Sequence, residues 1–209
     1  MKILFKLVTF SIIVFSISYN QSDCDGNRYV NEIFETQIIS GIEYGSNINE
    51  FFGSEYTEAL YLDIYLPYND DEEFRPLIIF LHGGSFVSGS RTSSDIVELC
   101  TSYAKMGYVA VSIDFRLTTS LIFDGSEENA YLAVVKAIHD LKSAIRFFRK
   151  DDATENNYNI DVDRIYAGGV SAGSIAAINA AYLNDESEIP QFVINEVSEV
   201  GGIEGLSGN

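Results

Sequence analysis

Five residues constrain this chain more than any others: Gly169-Val170-Ser171-Ala172-Gly173. A short strand is predicted just before them, over 164–167, and a helix of small residues just after, over 172–183. A sharp turn from strand into helix strains the backbone at its central residue. It also leaves no room for side chains two positions away on either side, and glycine stands at both of those positions. The turn lifts the Ser171 hydroxyl above the sheet and sets it at the positive end of the following helix.

The rest of the pattern supplies a sheet for that turn. Residues 35–43 are rich in Ile and Thr and read as extended. Residues 59–66 alternate Leu60, Leu62, Ile64 and Leu66 with Tyr61, Asp63 and Tyr65, the period of a half-buried strand. Residues 45–53 read as loop between them, and Pro67 ends the second strand. A continuous apolar run over 77–81 then fits a strand covered on both faces of a parallel sheet. Asp95 and Glu98 suit a capping box for a helix running to Met106, with Gly107 as its stop. Residues 108–113 form another buried strand, and 127–150 a long helix with Val134, Val135, Ile138, Leu141, Ile145 and Phe148 near the helical period. Strands first, then strands alternating with helices, predict an α/β fold: a mostly parallel sheet with antiparallel N-terminal strands. Residues 201–209 are glycine-rich and bring no closing element, so the sheet is expected to stop after the elbow helix with an unpaired edge.

Charge and the N-terminus narrow the setting. Thirteen Lys and Arg against 31 Asp and Glu leave a net charge of −18. A surface of that sign repels phosphate backbones, so nucleic acid is not an expected partner. Lys2 and Lys6 precede an uncharged apolar run over 7–17, and Ser16 and Ser18 supply a small-x-small site. That is the plan of a secretory signal peptide over residues 1–18, with 19–209 as the partial domain and a secreted or periplasmic location. The run is about half the roughly 20 residues a membrane span needs. Asp23 before Cys24 argues against a lipid-anchored start. Cys24 and Cys100 are the only cysteines. Export permits a disulfide between them, and a free buried Cys100 on an apolar helix is the competing reading. Two cysteines and two histidines at these spacings make no zinc site, and no cofactor is indicated.

A second constellation, His82-Gly83-Gly84-Ser85-Phe86, follows the buried strand over 77–81. Acyl transfer develops negative charge on a carbonyl oxygen, and fixed backbone N–H donors must meet it. Gly83, Gly84 and Ser85 are candidate donors, with the Ala172 N–H completing the set. Together with the strand–turn–helix setting of Ser171, this points to a serine nucleophile. At LIIFLHGGSF, VSIDFRL, AIRFFRKD and RIYAGGVSAGS the chain resembles the α/β-hydrolase superfamily, in its carboxylesterase and hormone-sensitive-lipase-like branches. The resemblance covers residue 35 onward. It implies an α/β-hydrolase fold, Ser171 as nucleophile, Gly83, Gly84 and Ala172 as the oxyanion hole, and a small-molecule ester as substrate. Ser85 departs from the glycine or alanine common at that place.

The family's triad runs Ser, then Asp or Glu, then His along the chain. No histidine follows Ser171; the carboxylates that do are Asp185, Glu186, Glu188, Glu196, Glu199 and Glu204. His82 is expected to order the oxyanion loop, and His139 to sit at the surface or boundary of the long helix. Asp114, Arg116 and Arg164 are expected to brace the sheet through buried pairing. The reading is therefore an exported ester hydrolase, acting through an acyl-enzyme on Ser171, whose base and acid lie outside this sequence. The rival is a non-catalytic recognition protein on the same fold. The export expectation has a direct test: N-terminal sequencing of the exported protein should find a chain starting near Ser18, and a mature chain beginning at Met1 would overturn it.

Overall fold

The computed structural model describes residues 26–199 and 201–205. The signal-peptide segment and Cys24 lie outside the described residues. Two long strands open the fold, β1 (Thr36–Phe51) and β2 (Ser54–Pro67). They form an antiparallel hairpin through Phe52 and Gly53, both at positive φ, +50° and +75°. Positive φ at both loop residues is the turn that matches strand twist in a two-residue hairpin. Residues 45–51, expected as loop, are instead paired strand. The cause is a pair of register shifts, at Ile39/Ile42 and Glu43/Gly45, which absorb the glycines without ending the ladder.

The chain then alternates. β3 (Arg75–Leu81), α1 (Ser94–Lys105) and β4 (Val109–Ile113) make one crossover. The short α2 (Ser120–Phe123), the long α3 (Glu127–Ala153) and β5 (Ile160–Gly169) make the next, and α4 (Ala172–Tyr182) leaves β5 at the serine. A 3-10 turn (Glu186–Glu188) and α5 (Ile194–Glu199) follow. The strand order is β1-β2-β4-β3-β5; the β1/β2 and β2/β4 ladders are antiparallel, the β4/β3 and β3/β5 ladders parallel. This is the expected α/β-hydrolase arrangement, with β3 carried to the interior because the second crossover passes over it.

Strand alternation sorts the core into two layers. Leu77, Ile79 and Leu81 of β3, with Val109, Val111 and Ile113 of β4, pack with Ala137, Leu141, Ala144 and Phe148 of α3. Phe80 and Ala110 point the other way, onto Ile96, Cys100 and Ala104 of α1. Burial raises the Cys100 thiol well above its ordinary range. The capping box does not form. Ser93 is the N-cap of α1, and the Asp95 carboxylate accepts from the Ile96 N–H instead. α3 is capped by Ser126, whose Oγ accepts from the Asn129 N–H at 3.2 Å.

Ion pairs pin the strand ends. Arg116 and Asp140 are 3% and 0% exposed. The Arg116 Nε and backbone N–H both donate to the Asp140 carboxylate, at 3.0 and 2.8 Å, and its NH1 donates to the Ile48 carbonyl at 2.9 Å. One guanidinium therefore ties β1, the exit of β4 and α3 together. Burial pushes the Asp140 carboxyl up, while Arg116 pulls it back. Arg91 bridges Asp63 and Asp114 at 3.0 and 2.6 Å, and Arg164 pairs with Asp161 at 2.6 Å. All three residues expected as braces make ion pairs, but only the Arg116 pair is buried; the Asp114 and Arg164 pairs are partly open to solvent.

β5 is hydrogen-bonded to β3 alone among the described residues. Tyr166 on β5 and Ile175, Ile178 and Tyr182 on α4 face solvent.

Removing one partner of a buried pair leaves the other charge uncompensated, at a cost of about 3–5 kcal/mol. Asp140→Ala is expected to lose about that much stability in urea denaturation. A loss below about 1 kcal/mol would show that the Arg116 pair does not brace the sheet.

Candidate active site

The serine turn is built around one carbonyl, that of Leu81 at the end of β3. It accepts the Val170 N–H at 3.1 Å. A Cβ on Gly169 would lie 2.6 Å from that oxygen, and one on Gly173 would collide with it outright. Both glycines of the pentapeptide are thus required by a three-way crossing of β3, β5 and the first turn of α4. Further bonds close the turn: Gly173 N–H to Val170 O at 2.9 Å, Ile175 N–H to Ser171 O at 3.1 Å, and the Ser174 hydroxyl to Gly169 O at 2.5 Å.

Ser171 is held at φ +50°, ψ −113°. A serine there is strained by roughly 1–3 kcal/mol, which the surrounding crossing must impose. Its side chain is exposed, at the N-cap of α4, and makes no capping bond of its own.

The glycine loop meets the serine directly. A Cβ on Gly83 would stand 3.5 Å from Ser171 Cβ and 3.3 Å from the Val170 carbonyl. Beyond it the backbone runs through three consecutive positive φ values, Gly84 at +117°, Ser85 at +55° and Phe86 at +63°. Gly84 has no room for a side chain, because a Cβ would stand 2.6 Å from the Ser88 carbonyl carbon. The loop is folded back on the Gly84 carbonyl, which accepts Val87 and Ser88 N–H at 3.0 and 3.1 Å. Phe86 is buried against Phe115, and its carbonyl takes the Thr118 N–H at 2.8 Å.

His82 lies flat on Phe115, with ring centroids 4.3 Å apart and planes 15° from parallel. Its Nδ1 is 2.7 Å from the Gly83 carbonyl. A carbonyl can only accept, so Nδ1 carries the proton in this bond. Burial lowers the imidazole below its usual range, against the opposing pull of the Gly83 carbonyl, Asp114 and Asp95. The ring is therefore neutral at pH 7, and it fixes the peptide between Gly83 and Gly84.

The result is a set of unclaimed donors. Among the described residues, no protein acceptor takes the N–H of Gly83, Gly84, Ser85 or Ala172. Three of these belong to the loop that meets Ser171, and the fourth is the residue after it. Such N–H groups can stabilise charge developing on a substrate oxygen.

Neither histidine is hydrogen-bonded to Ser171. His139 is not at the surface or boundary: it is 1% exposed, beneath residues 201–205, with Nε2 bonded to the Gly202 carbonyl. The sequence signal for that burial is its place between Val135, Ile138 and Leu141 on the apolar stripe of α3. The glycine-rich residues 201–205, which bring no closing element to the sheet, cover it. Three of the six later carboxylates are engaged elsewhere. Asp185 caps the 3-10 turn through the Ser187 N–H, Glu188 accepts from Asn184, and Glu204 pairs with Lys142. Three cavities of about 380, 350 and 340 Å³ lie elsewhere, and none is lined by Ser171, Gly83 or Gly84.

Comparison with known proteins identifies the family. The family model BD-FAE matches residues 62–203, more than half of the chain. The neutral cholesterol ester hydrolase 1 of Rattus norvegicus is 30% identical over 108 residues, covering 51% of this chain and 24% of that protein. The pyrethroid hydrolase Ces2a of Mus musculus is 29% identical over 123 residues, covering 56% and 21%. The probable carboxylesterase 8 of Arabidopsis thaliana is 24% identical, covering 71% and 46%. The chain thus spans less than half the length of each of these relatives. A solved esterase from Thermogutta terrifontis is 27% identical, with a TM-score of 0.46, covering 65% of this chain and 43% of that one. With its serine turn and glycine loop inside the matched region, the chain belongs to the BD-FAE family, a family of α/β-hydrolase esterases.

Proposed function

We propose that this chain carries the nucleophile and oxyanion-hole half of an exported serine carboxylic-ester hydrolase. The observation that carries the reading is the strained Ser171 packed against Gly83, with the Gly83, Gly84 and Ala172 N–H groups unclaimed beside it. Ser171 Oγ attacks the carbonyl carbon of a small-molecule ester and gives up its proton to a base. The carbonyl oxygen becomes an oxyanion held by the backbone donors, with Ser85 N–H as a further candidate. Collapse of the tetrahedral intermediate expels the alcohol, which takes the proton back. Water then cleaves the acyl-Ser171 ester and releases the acid.

A neutral serine is a weak nucleophile and needs a base within about 3 Å. Neither His82 nor His139 meets that need: one is bound to the Gly83 carbonyl and the other to that of Gly202. The base and its orienting acid are therefore proposed to come from residues outside this sequence. A non-catalytic recognition role has less support, because a binding surface requires neither a strained serine nor a run of positive-φ residues ending in free donors.

The decisive measurement is hydrolysis of a short-chain p-nitrophenyl ester. In the full natural gene product, Ser171→Ala is expected to lower kcat by at least about 10³-fold. Equal rates would overturn the assignment. The 209-residue chain made alone is expected to turn over no faster than its own Ser171→Ala variant. Robust turnover that Ser171→Ala abolishes would bring His82 or His139 back as the base.

A further inference from the structure

His139 has no place in that chemistry, yet it is among the most completely enclosed polar groups in the fold. Its Nε2 lies 2.7 Å from the Gly202 carbonyl, so Nε2 carries the proton there. Its Nδ1 is buried with no hydrogen-bond partner among the described residues. Gly205, at φ +78°, lies flat against the ring; a Cβ there would stand 2.8 Å from the imidazole Cγ. One turn further along α3, Lys142 holds the same segment, with Nζ 3.0 Å from the Ile203 carbonyl and 2.6 Å from the Glu204 carboxylate. Beneath these ties, Ile203 joins Val135, Ile189, Val193 and Val197 in a small apolar cluster. Residues 201–205 thus form a strap across α3, fastened by one histidine and one lysine.

The charges around the ring favour its neutral form. Arg116 faces it from the end of β4, and Lys142 and Arg146 from α3 itself. Asp140 is taken up by Arg116, and Glu204 on the strap by Lys142, while Glu186 of the 3-10 turn stands against Gly202. From α5, Glu196 and Glu199 line the neighbouring cavity with Lys136. α4, packed on the other side of α3, has no charged residue.

We propose that residues 201–205 are an acid-released strap whose latch is the neutral imidazole of His139. Protonation adds a second N–H, at Nδ1, in a buried place with no acceptor, and a positive charge among three cations. Detaching the strap lets water reach both nitrogens and exposes the Val135–Val197–Ile203 cluster. Burial, helped by Arg116, Lys142 and Arg146, lowers the imidazole from 6.5 to about 4, although the Gly202 carbonyl works the other way. The docked value lies below the free one, so docking is favoured in full above pH 6.5. That advantage falls as the pH drops from 6.5 towards 4, then levels off. Between those two values, the open fraction at pH 5 is about 30-fold larger than at pH 8.

The experiment is amide hydrogen exchange at Gly202, whose N–H ties the strap to the Val197 carbonyl at 2.8 Å, corrected for intrinsic rates, at pH 8 and pH 5. NMR titration of the His139 ring in the same protein accompanies it. The wild type is expected to lose about 30-fold protection at pH 5, and the ring to titrate below pH 5.5. His139→Gln keeps a neutral donor for Gly202 and should hold its protection at both pH values. Protection that is insensitive to pH in the wild type would overturn the proposal. So would a loss of protection that His139→Gln shares, which would assign it to the carboxylates at the strap, Glu204 paired with Lys142 and Glu186 against Gly202. A ring that titrates at 6.5 or above in the wild type would also overturn it, whether or not the variant folds.

Discussion

The Leu81 carbonyl is the contact on which the site depends. It ends β3, accepts the Val170 N–H, and lies so close to residues 169 and 173 that neither can carry a Cβ. This crossing fixes how far β5 runs before it must turn. It also leaves Ser171 no ordinary backbone conformation. The next residue after Leu81 is His82, stacked on Phe115, and then Gly83, in contact with the serine. Nucleophile and donor loop are thus two arms of one strand end. Their separation is set by backbone packing rather than by side-chain conformers, which gives the preorganisation that electrostatic stabilisation of an oxyanion requires.

The same strand end is anchored from outside. The Arg91 backbone N–H and guanidinium both bind Asp114, and its Nε reaches Asp63, whose carboxylate also accepts the Gly41 N–H. Arg91 lies just past the glycine loop, so the loop is pinned at its start by the sheet and at its finish by ion pairs to β2 and the exit of β4. Charge that would be costly if left unpaired inside the fold is used here as a clamp.

Much of this was legible in the sequence because it rests on local rules. Continuous apolar runs gave β3 and β4, and the helical period gave α3. The two glycines around Ser171 made sense only as a close crossing. What escaped depended on contacts distant in the chain. Gly45 reads as a loop residue until β2 lies beside it and shifts of register accommodate it. Asp95 and Glu98 look like a capping box, but Ser93 holds the N-cap position and makes no side-chain capping bond. His139 looked like a boundary residue because nothing in its own helix says that residues 201–205 come back to cover it.

The edge of β5 that no strand pairs among the described residues and the outer face of α4 give the surface two competing tendencies. Tyr166, Ile175, Ile178 and Tyr182 are exposed, Tyr182 at 76%, within a tract from 165 to 184 that carries no charge. The chain as a whole is strongly acidic, at −18. Repulsion between copies of this net charge opposes contact between these apolar, edge-bearing faces. Its reach is only about 10 Å at 0.1 M salt and about 3 Å at 1 M. Colloidal behaviour should therefore run opposite to that of a typical acidic protein that salt merely screens: adding salt removes the barrier and leaves the sticky tract to act. Raising the ionic strength is therefore expected to favour association through this tract.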